Sequence, residues 1–260
     1  MQINRLSKSF AIVFYFQDPT KEISLCRVKK NELSIKSAFL KIMRKYYVLL
    51  FLFFPGLIWS GINPSRLGVW IGETVPTILS LIILTATFKR FRFTMFSYIA
   101  ILLACYFMFV GAHYTFARMP LFDWIRDYFG QDRNNFDKVG HFVQGILPVL
   151  IAREVFIRQR IIKDYKWISI ISLCICMAIT SGYELIEFIA ASIADKTPVN
   201  FLGTQGYEWD SQADMLFALF GGLFMLLFLR KTHDHWIEKE FPGTFEKFNH
   251  FSSEADSTTM

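Results

Sequence analysis

The sequence predicts an all-α fold, a polytopic transmembrane helical bundle with about six spans. Apolar residues make up 53% of the 260 residues and charged residues only 19%, against about 25% in ordinary soluble domains. The aromatic content of 17% excludes disorder for most of the chain, because disordered proteins are poor in aromatic residues. Four cysteines are too few for a disulfide framework in a chain of this length.

Six charge-poor segments define the predicted spans. A hydrocarbon core about 30 Å thick requires about 20 mostly apolar residues in each helix. The segments of this kind are 46–63, 69–88, 95–117, 137–158, 167–193 and 211–230. They divide the chain into a basic N-terminal segment (1–45), a six-helix transmembrane domain (46–230) and a C-terminal tail (231–260).

The distribution of Lys and Arg predicts the orientation of these spans. Of the 28 basic residues, 22 fall on one side of the membrane, and basic residues concentrate on the cytoplasmic side. Both termini are therefore predicted to be cytoplasmic, and the tail residues His233, His235 and His250 are expected to face solvent. Topology and attraction to anionic lipid explain the net charge of +6, so the expected partner is the lipid bilayer, and nucleic acid is excluded.

Nearly all ionisable residues within the spans fall near the outer surface. At a rise of 1.5 Å per residue, His113 lies about 27 Å and Glu184 about 26 Å along their spans from the cytoplasmic side. His141 lies about 6 Å from the outer end of its span, and Asp214 stands at the outer start of the last one. Ionisable groups inside spans are costly and mark functional sites by default, so we expect one shared outer cavity.

The spacing of these residues places them on common helix faces, because residues three or four apart are neighbours on a helix surface. The groups with this spacing are Asp137 with His141, Asp210 with Asp214, Glu184 with Glu187, and His141 with Gln144. Such groups are able to bind a divalent cation, to perform acid–base chemistry, or simply to pair with nearby arginines. The candidate catalytic residues are His141, Asp137, Glu184 and Asp214, and the candidate metal ligands are His141, Glu184 and Asp214.

Two long outer segments, 113–138 after the third span and 200–212 before the sixth, supply further candidates, since both mix glycine, amides, acids and aromatic residues. Their tryptophans and tyrosines suit the aromatic belt at the membrane surface, or a lid over an outer cavity. Together with the helix positions above, the candidate ligand-binding residues are His113, Tyr114, Arg133, Asn134, Gln144, Glu187, Gln205, Trp209 and Asp210. Neither a phosphate-cradling loop, a His-Glu-x-x-His helix nor a Gly-x-Ser-x-Gly elbow is present.

Several of these segments resemble the YjdF-like inner-membrane proteins, a bacterial family known as domain of unknown function 2238. The matching segments are Gly111 to Thr115, Arg133-Asn134, Phe136 to Phe142, Arg153-Glu154, Tyr183 to Glu187, Phe201 to Gly206 and Trp209 to Met215. The resemblance runs from about residue 46 to residue 230. It implies a multi-pass protein of the bacterial inner membrane.

A looser resemblance is to the VanZ-like membrane domain. That pattern has Asp-Lys-x-x-His-Phe at the start of one helix, a late Glu in the next, and an Asp at the start of the last. The chain carries these residues in order as Asp137, Lys138, His141, Phe142, Glu184 and Asp214. Where the VanZ-like pattern continues with an Asn, this chain has Ala218. The resemblance implies a shared outer site and a role in the cell envelope.

Three functions are compatible with these patterns. The first is an envelope protein that binds or modifies a lipid-linked or periplasmic small ligand at the outer cavity. The second is a small ion-coupled transporter, although no charge lies near the midplane, where transporter sites usually lie. The third is a structural or partner-binding membrane protein whose acids are all paired. We interpret Arg153 and Glu154 as an interfacial charge pair at the cytoplasmic end of span four.

Overall fold

The computed structural model describes residues 19–193 and 208–246, and these residues form helices without any strand. The chain divides into two compact units, Met1–Val48 and Leu49–Met260, and the side-chain contacts below all lie in the second. The α-helices are α1 (Pro19–Gly61), α2 (Leu67–Thr87), α3 (Met95–Tyr114), α4 (Pro120–Phe129), α5 (Phe136–Gln159), α6 (Tyr165–Ile193), α7 (Asp210–Phe224) and α8 (Arg230–Glu240). The fold is the all-helical, polytopic membrane architecture that the sequence predicts.

Five helices of the described ranges are long and apolar enough to cross a membrane. These are Leu67–Thr87, Met95–Tyr114, Phe136–Gln159, Tyr165–Ile189 and Asp210–Glu240, and they correspond to the last five predicted spans. The first predicted span, 46–63, forms the end of the 43-residue helix α1 and is not among the five. Its apolar stretch is shorter, because Arg44 and Lys45 precede it within the same helix.

Apolar side chains on the outer helix faces remain exposed, as expected for a protein surrounded by lipid. On α2 alone, Ile71, Val75, Leu79, Ile82 and Ile83 are exposed. A patch of this kind is rare on a soluble monomer. The lipid bilayer is therefore the environment that these faces fit.

Local sequence determines where several helices begin and end. Thr94 caps α3, since its hydroxyl oxygen accepts a hydrogen bond from the Ser97 N–H at 3.3 Å. Pro120 stands at the start of α4, where a missing N–H has no cost. Gly130 ends α4 with a φ of 63°, a left-handed conformation that glycine adopts without strain.

Helix α5 packs most closely on α7, where small residues allow the two backbones to meet. A Cβ atom added at Gly145 would lie 1.9 Å from the Ala218 carbonyl oxygen, and one at Gly221 would lie 1.9 Å from the Phe142 carbonyl oxygen. Close approach through small residues is a common packing mode in membranes. The methyl group of Ala218, at the place where the VanZ-like pattern has an Asn, is completely buried here.

The last helix is longer than predicted and continues beyond residue 230, the predicted end of the sixth span. A five-residue π-helical turn (Met225–Leu229) joins α7 to α8, so the helix continues to Glu240. His233 is completely buried, contrary to the expectation that it faces solvent, whereas His235 is exposed as expected. His250 lies outside the described residues. The helix continues because residues 230–240 contain neither glycine nor proline to end it.

Candidate functional site

A buried ion-pair cluster joins the first turn of α5 to the first turn of α7. The ammonium group of Lys138 donates hydrogen bonds to Asp210 Oδ1 at 2.6 Å and to Asp214 Oδ1 at 2.7 Å. Arg133, in the loop before α5, donates to the same Asp210 oxygen at 2.7 Å. Asp210 therefore has two cationic partners within the protein, Lys138 and Arg133.

His141 lies next to this cluster, one turn along α5 from Asp137. Its Nε2 atom is 3.6 Å from Asp137 Oδ1, 3.6 Å from Asp214 Oδ1 and 3.8 Å from Glu184 Oε1. Glu184 comes from α6, so three helices meet around one imidazole ring. All three distances exceed those of an ordinary N–H···O hydrogen bond, about 2.7–3.2 Å.

A cavity of about 420 Å³ adjoins the cluster and runs between α2, α3, α5 and α6. Asp137 and His141 line it at one end, and Ala152 lines it at the other, about 22 Å further along α5. Most of the lining is apolar, and the remaining polar residues at the cluster end are Glu73, Gln144, Tyr183 and Glu187. An apolar cavity with a few convergent polar groups is the usual form of a small-molecule site.

At the place where His141 meets Glu184, two buried polar atoms make no hydrogen bond with any described residue. They are His141 Nδ1 and Glu184 Oε1. Buried polar atoms nearly always have a partner, and an exception is commonly explained by a function or by a bound water or ion. The His141 side chain is only 7% exposed, so bulk solvent does not supply the missing partners.

A second buried network at the other end of α5 is different, because its acceptors are satisfied. Both Glu154 carboxylate oxygens accept hydrogen bonds, from Thr94, Ser97, Arg158 and His233. The shortest of these joins Ser97 Oγ to Glu154 Oε2 at 2.5 Å. The side chain is completely buried, and it connects α3, α5 and α8.

Arg153 and His233 complete this second network. Arg153 donates to His233 Nδ1 at 3.3 Å and to Asp234 Oδ1 at 3.0 Å, and it also bonds the Tyr165 hydroxyl. Since Arg153 is always a donor, His233 Nδ1 must accept, and the proton on Nε2 is donated to Glu154. The interpretation of Arg153 and Glu154 as an interfacial charge pair is therefore wrong. Both are fully buried and bond to other helices, because α8 extends over them.

The remaining predicted residues take positions outside the cavity lining. His113 and Tyr114 pack against Trp59, and His113 Nδ1 lies 3.1 Å from the Ser60 carbonyl oxygen. Asn134 holds the start of α5, where its side-chain oxygen accepts from the Phe136 N–H at 3.1 Å. Trp209 is largely exposed just before α7, and Gln205 lies outside the described residues. Gln144 and Glu187, by contrast, line the cavity.

Three residues of the site were missed as candidates from the sequence. Lys138 joins two acids of the cluster, and Glu73 and Tyr183 line the cavity and lie 3.3 Å apart. The signal for Lys138 was present, since it stands three residues before His141 and shares its helix face. Glu73 was also an isolated acid in an apolar span, the kind of residue that is functional by default.

Comparison with known proteins relates the chain to a membrane protein family. The family described as "Predicted membrane protein (DUF2238)" matches residues 45–235. The chain is 38% identical over 177 residues to the inner membrane protein YjdF of Escherichia coli (strain K12), which covers 68% of this chain and 85% of that protein. No solved structure matches the chain. The matched range contains the cluster, the cavity and the second network.

Proposed function

The chain belongs to the DUF2238 family of multi-pass inner-membrane proteins, and we propose that it binds a single-chain amphipathic ligand of the cell envelope. The apolar chain of the ligand lies in the cavity, and its polar head lies at the carboxylate end. The observation that carries the proposal is the polarity of this cavity, which is apolar along α5 and polar where Asp137 and His141 line it.

The apolar part of the cavity fits a hydrocarbon chain. Ile101, Leu147 and Ile179 are among its lining residues, and they come from three different helices. The volume of about 420 Å³ lies within the range of about 300–1,000 Å³ that is typical of small-molecule sites. A lipid-linked molecule reaches such a cavity from the surrounding bilayer without crossing water.

The polar end fits a head group that donates hydrogen bonds. Glu73, Asp137 and Glu187 meet there, and an ionised carboxylate only accepts hydrogen bonds. The matching chemistry is an amine or a group of hydroxyls. Hydrogen bonds to charged groups contribute about 1.5–3 kcal/mol each, so the head group provides selectivity.

A purely structural role accounts less well for the cluster. In the second network both Glu154 oxygens accept hydrogen bonds, as in a structural element, whereas His141 Nδ1 and Glu184 Oε1 have no hydrogen-bond partner in the described ranges. A transport route along α5 also has less support, because residues 145–152 carry no polar or charged side chain over about 12 Å.

We test the proposal with two probes that share one acyl chain. Lysophosphatidylethanolamine has an amine that donates hydrogen bonds, and lysophosphatidylcholine has a quaternary head that does not. Native mass spectrometry of the full chain in detergent should show about tenfold tighter binding of the ethanolamine lipid. Glu187→Gln should reduce this preference, because it replaces a carboxyl group at the polar end with an amide.

Neighbouring residues on α3 provide a matched control for the cavity. Ala104 is buried and lines the cavity, whereas Leu103 is 66% exposed on the lipid side. Ala104→Phe should abolish binding of both probes, and Leu103→Phe should leave it unchanged. Ala152→Leu fills the other end of the cavity and provides an independent check. Equal binding by all three variants would show that the cavity does not hold the ligand. Equal affinity of the unsubstituted chain for both probes would contradict the proposal that the polar end selects a head group with hydrogen-bond donors.

The proposal also keeps the orientation predicted from the basic residues, with the cluster at the periplasmic surface. Asp127 on α4 and Asp164 before α6 are exposed acids near opposite ends of α5. A membrane-impermeant maleimide should label Asp127→Cys in intact cells, and Asp164→Cys only after permeabilisation. Labelling of the unsubstituted chain measures the background from its own cysteines. The opposite labelling pattern would place the cluster in the cytoplasm.

A further inference from the structure

We propose that His141, Asp137, Asp214 and Glu184 bind one divalent first-row metal ion, such as Zn²⁺, at the polar end of the cavity. The proposal concerns the cluster itself and does not depend on which amphipathic molecule the cavity holds. Four observations support it: the distances between the donor atoms, the unpartnered Glu184 Oε1, the local charge and the types of donor.

The distances between donor atoms fit a shared ion better than hydrogen bonds. In a tetrahedral site with bonds of about 2.0–2.1 Å, neighbouring donor atoms lie about 3.4 Å apart. His141 Nε2 is 3.6 Å from Asp137 Oδ1 and from Asp214 Oδ1. The donor atoms of these three residues all lie within 4.8 Å of one another. Small side-chain rotations would therefore complete the coordination.

Glu184 supplies a fourth donor that has no other partner. Its Oε1 atom lies 3.8 Å from His141 Nε2 and makes no hydrogen bond to any described residue. Ser211 hydrogen-bonds the Glu184 carboxylate, but its buried Oε1 atom has no such partner, and leaving a buried acceptor unpaired costs free energy. A metal ion between this oxygen and His141 Nε2 would give Glu184 Oε1 a partner.

The excess of carboxyl groups around the site also favours binding of a cation. In the described ranges, six carboxyl groups surround the cluster and the polar end of the cavity, against two permanent cations, Lys138 and Arg133. The six are Glu73, Asp137, Glu184, Glu187, Asp210 and Asp214. Burying unpaired charges of one sign is expensive. A divalent ion would offset part of this excess of carboxyl groups.

The donor types favour a transition metal over Mg²⁺ or Ca²⁺. Imidazole suits Zn²⁺, Fe²⁺ and similar ions, whereas all-oxygen sites suit Mg²⁺ and Ca²⁺. Lys138 would act as a positioning residue, since its 2.7 Å hydrogen bond fixes one oxygen of Asp214. Because Asp137 and His141 also line the cavity, a ligand head group would reach the ion directly.

Cobalt binding to the metal-free protein tests the site. The full chain is purified in detergent, stripped with a chelator and titrated with Co²⁺, whose visible absorption reports its coordination. We expect one Co²⁺ for each chain, a spectrum of tetrahedral coordination, and displacement of Co²⁺ by Zn²⁺. His141→Ala should weaken binding by at least about 100-fold, since loss of outer partners alone costs 10–100-fold. Absence of a bound Co²⁺ spectrum in the unsubstituted chain would overturn the proposal.

Two further variants keep the result interpretable. Asp137→Asn preserves the shape of the Asp137 side chain but removes its charge, so it should also weaken Co²⁺ binding. This variant provides the test if His141→Ala does not fold. Asp127→Asn removes an exposed acid outside the cluster and should bind Co²⁺ like the unsubstituted chain. Stoichiometric binding that none of the cluster variants changes would place the metal elsewhere and overturn the assignment.

The same samples separate this proposal from the proposed function. Lysophosphatidylethanolamine binding is measured on the metal-free and the Zn²⁺-loaded protein. Lipid binding without stoichiometric metal would refute the metal site and leave the ligand proposal standing. Metal binding without lipid binding would refute the ligand and leave the metal site standing.

Discussion

Glu154→Ala is expected to destabilise the protein by about 3–5 kcal/mol, the usual effect of removing one partner from a buried charge network. The Glu154 carboxylate is completely buried and accepts hydrogen bonds from α3 and α8. Its removal would leave the Arg158 guanidinium without its 2.8 Å partner, and the Thr94 and Ser97 hydroxyls without theirs. The three helices that meet there would lose their common contact.

Thermal unfolding in detergent measures this effect, with an expected decrease of roughly 10 °C in Tm. Asp127→Ala is the matched control, because Asp127 forms only an exposed ion pair with Arg126. Such surface pairs contribute about 0–1 kcal/mol, so its Tm should hardly change. Similar Tm values for the two variants would mean that the second network does not hold the helices together.

Gly145→Ala is expected to force α5 and α7 apart, although it adds only one methyl group. The added Cβ would lie 1.9 Å from the Ala218 carbonyl oxygen, and this backbone atom cannot rotate away as a side chain would. Overpacking of this kind costs about 1–3 kcal/mol. The separation would also draw His141 on α5 away from Asp214 on α7, so Co²⁺ binding should weaken together with stability.

Gly182→Ala on α6 is the control for this substitution. A Cβ atom at Gly182 meets nothing within 4 Å, and alanine favours helix over glycine by up to about 1 kcal/mol. Its Tm should stay equal or rise, and its Co²⁺ affinity should be unchanged. If Gly145→Ala behaved like Gly182→Ala, the close contact between α5 and α7 would not be required for the site.

Much of the membrane architecture was predictable because hydropathy is a local property. Five of the six predicted segments correspond to helices that are long and apolar enough to span a membrane. Residue spacing also brought His141 and Asp137 onto one helix face, and the structure places Asp214 and Glu184 next to them. The first span and the orientation of the termini remain predictions.

The second network could not be predicted, because its residues are far apart in the chain. Glu154 and His233 are 79 residues apart, and each belongs to a segment whose own polarity suggests exposure. Arg153, Glu154 and His233 become internal only because α8 continues past the predicted end of the last span and packs over α5. The π-helical turn at Met225–Leu229 precedes that continuation, and no sequence pattern marks it.

By itself the sequence determined that this protein is helical and membrane-embedded, and that acids and a histidine gather near one end of its helices. These properties follow from the number of apolar residues between charges and from the helical repeat, which act along a single segment. The tertiary structure alone decided which polar groups are paired and which remain without a partner. That distinction depends on contacts between helices. Lys138 donates a hydrogen bond to Asp210, whereas His141 Nδ1 and Glu184 Oε1 have no hydrogen-bond partner among the described residues.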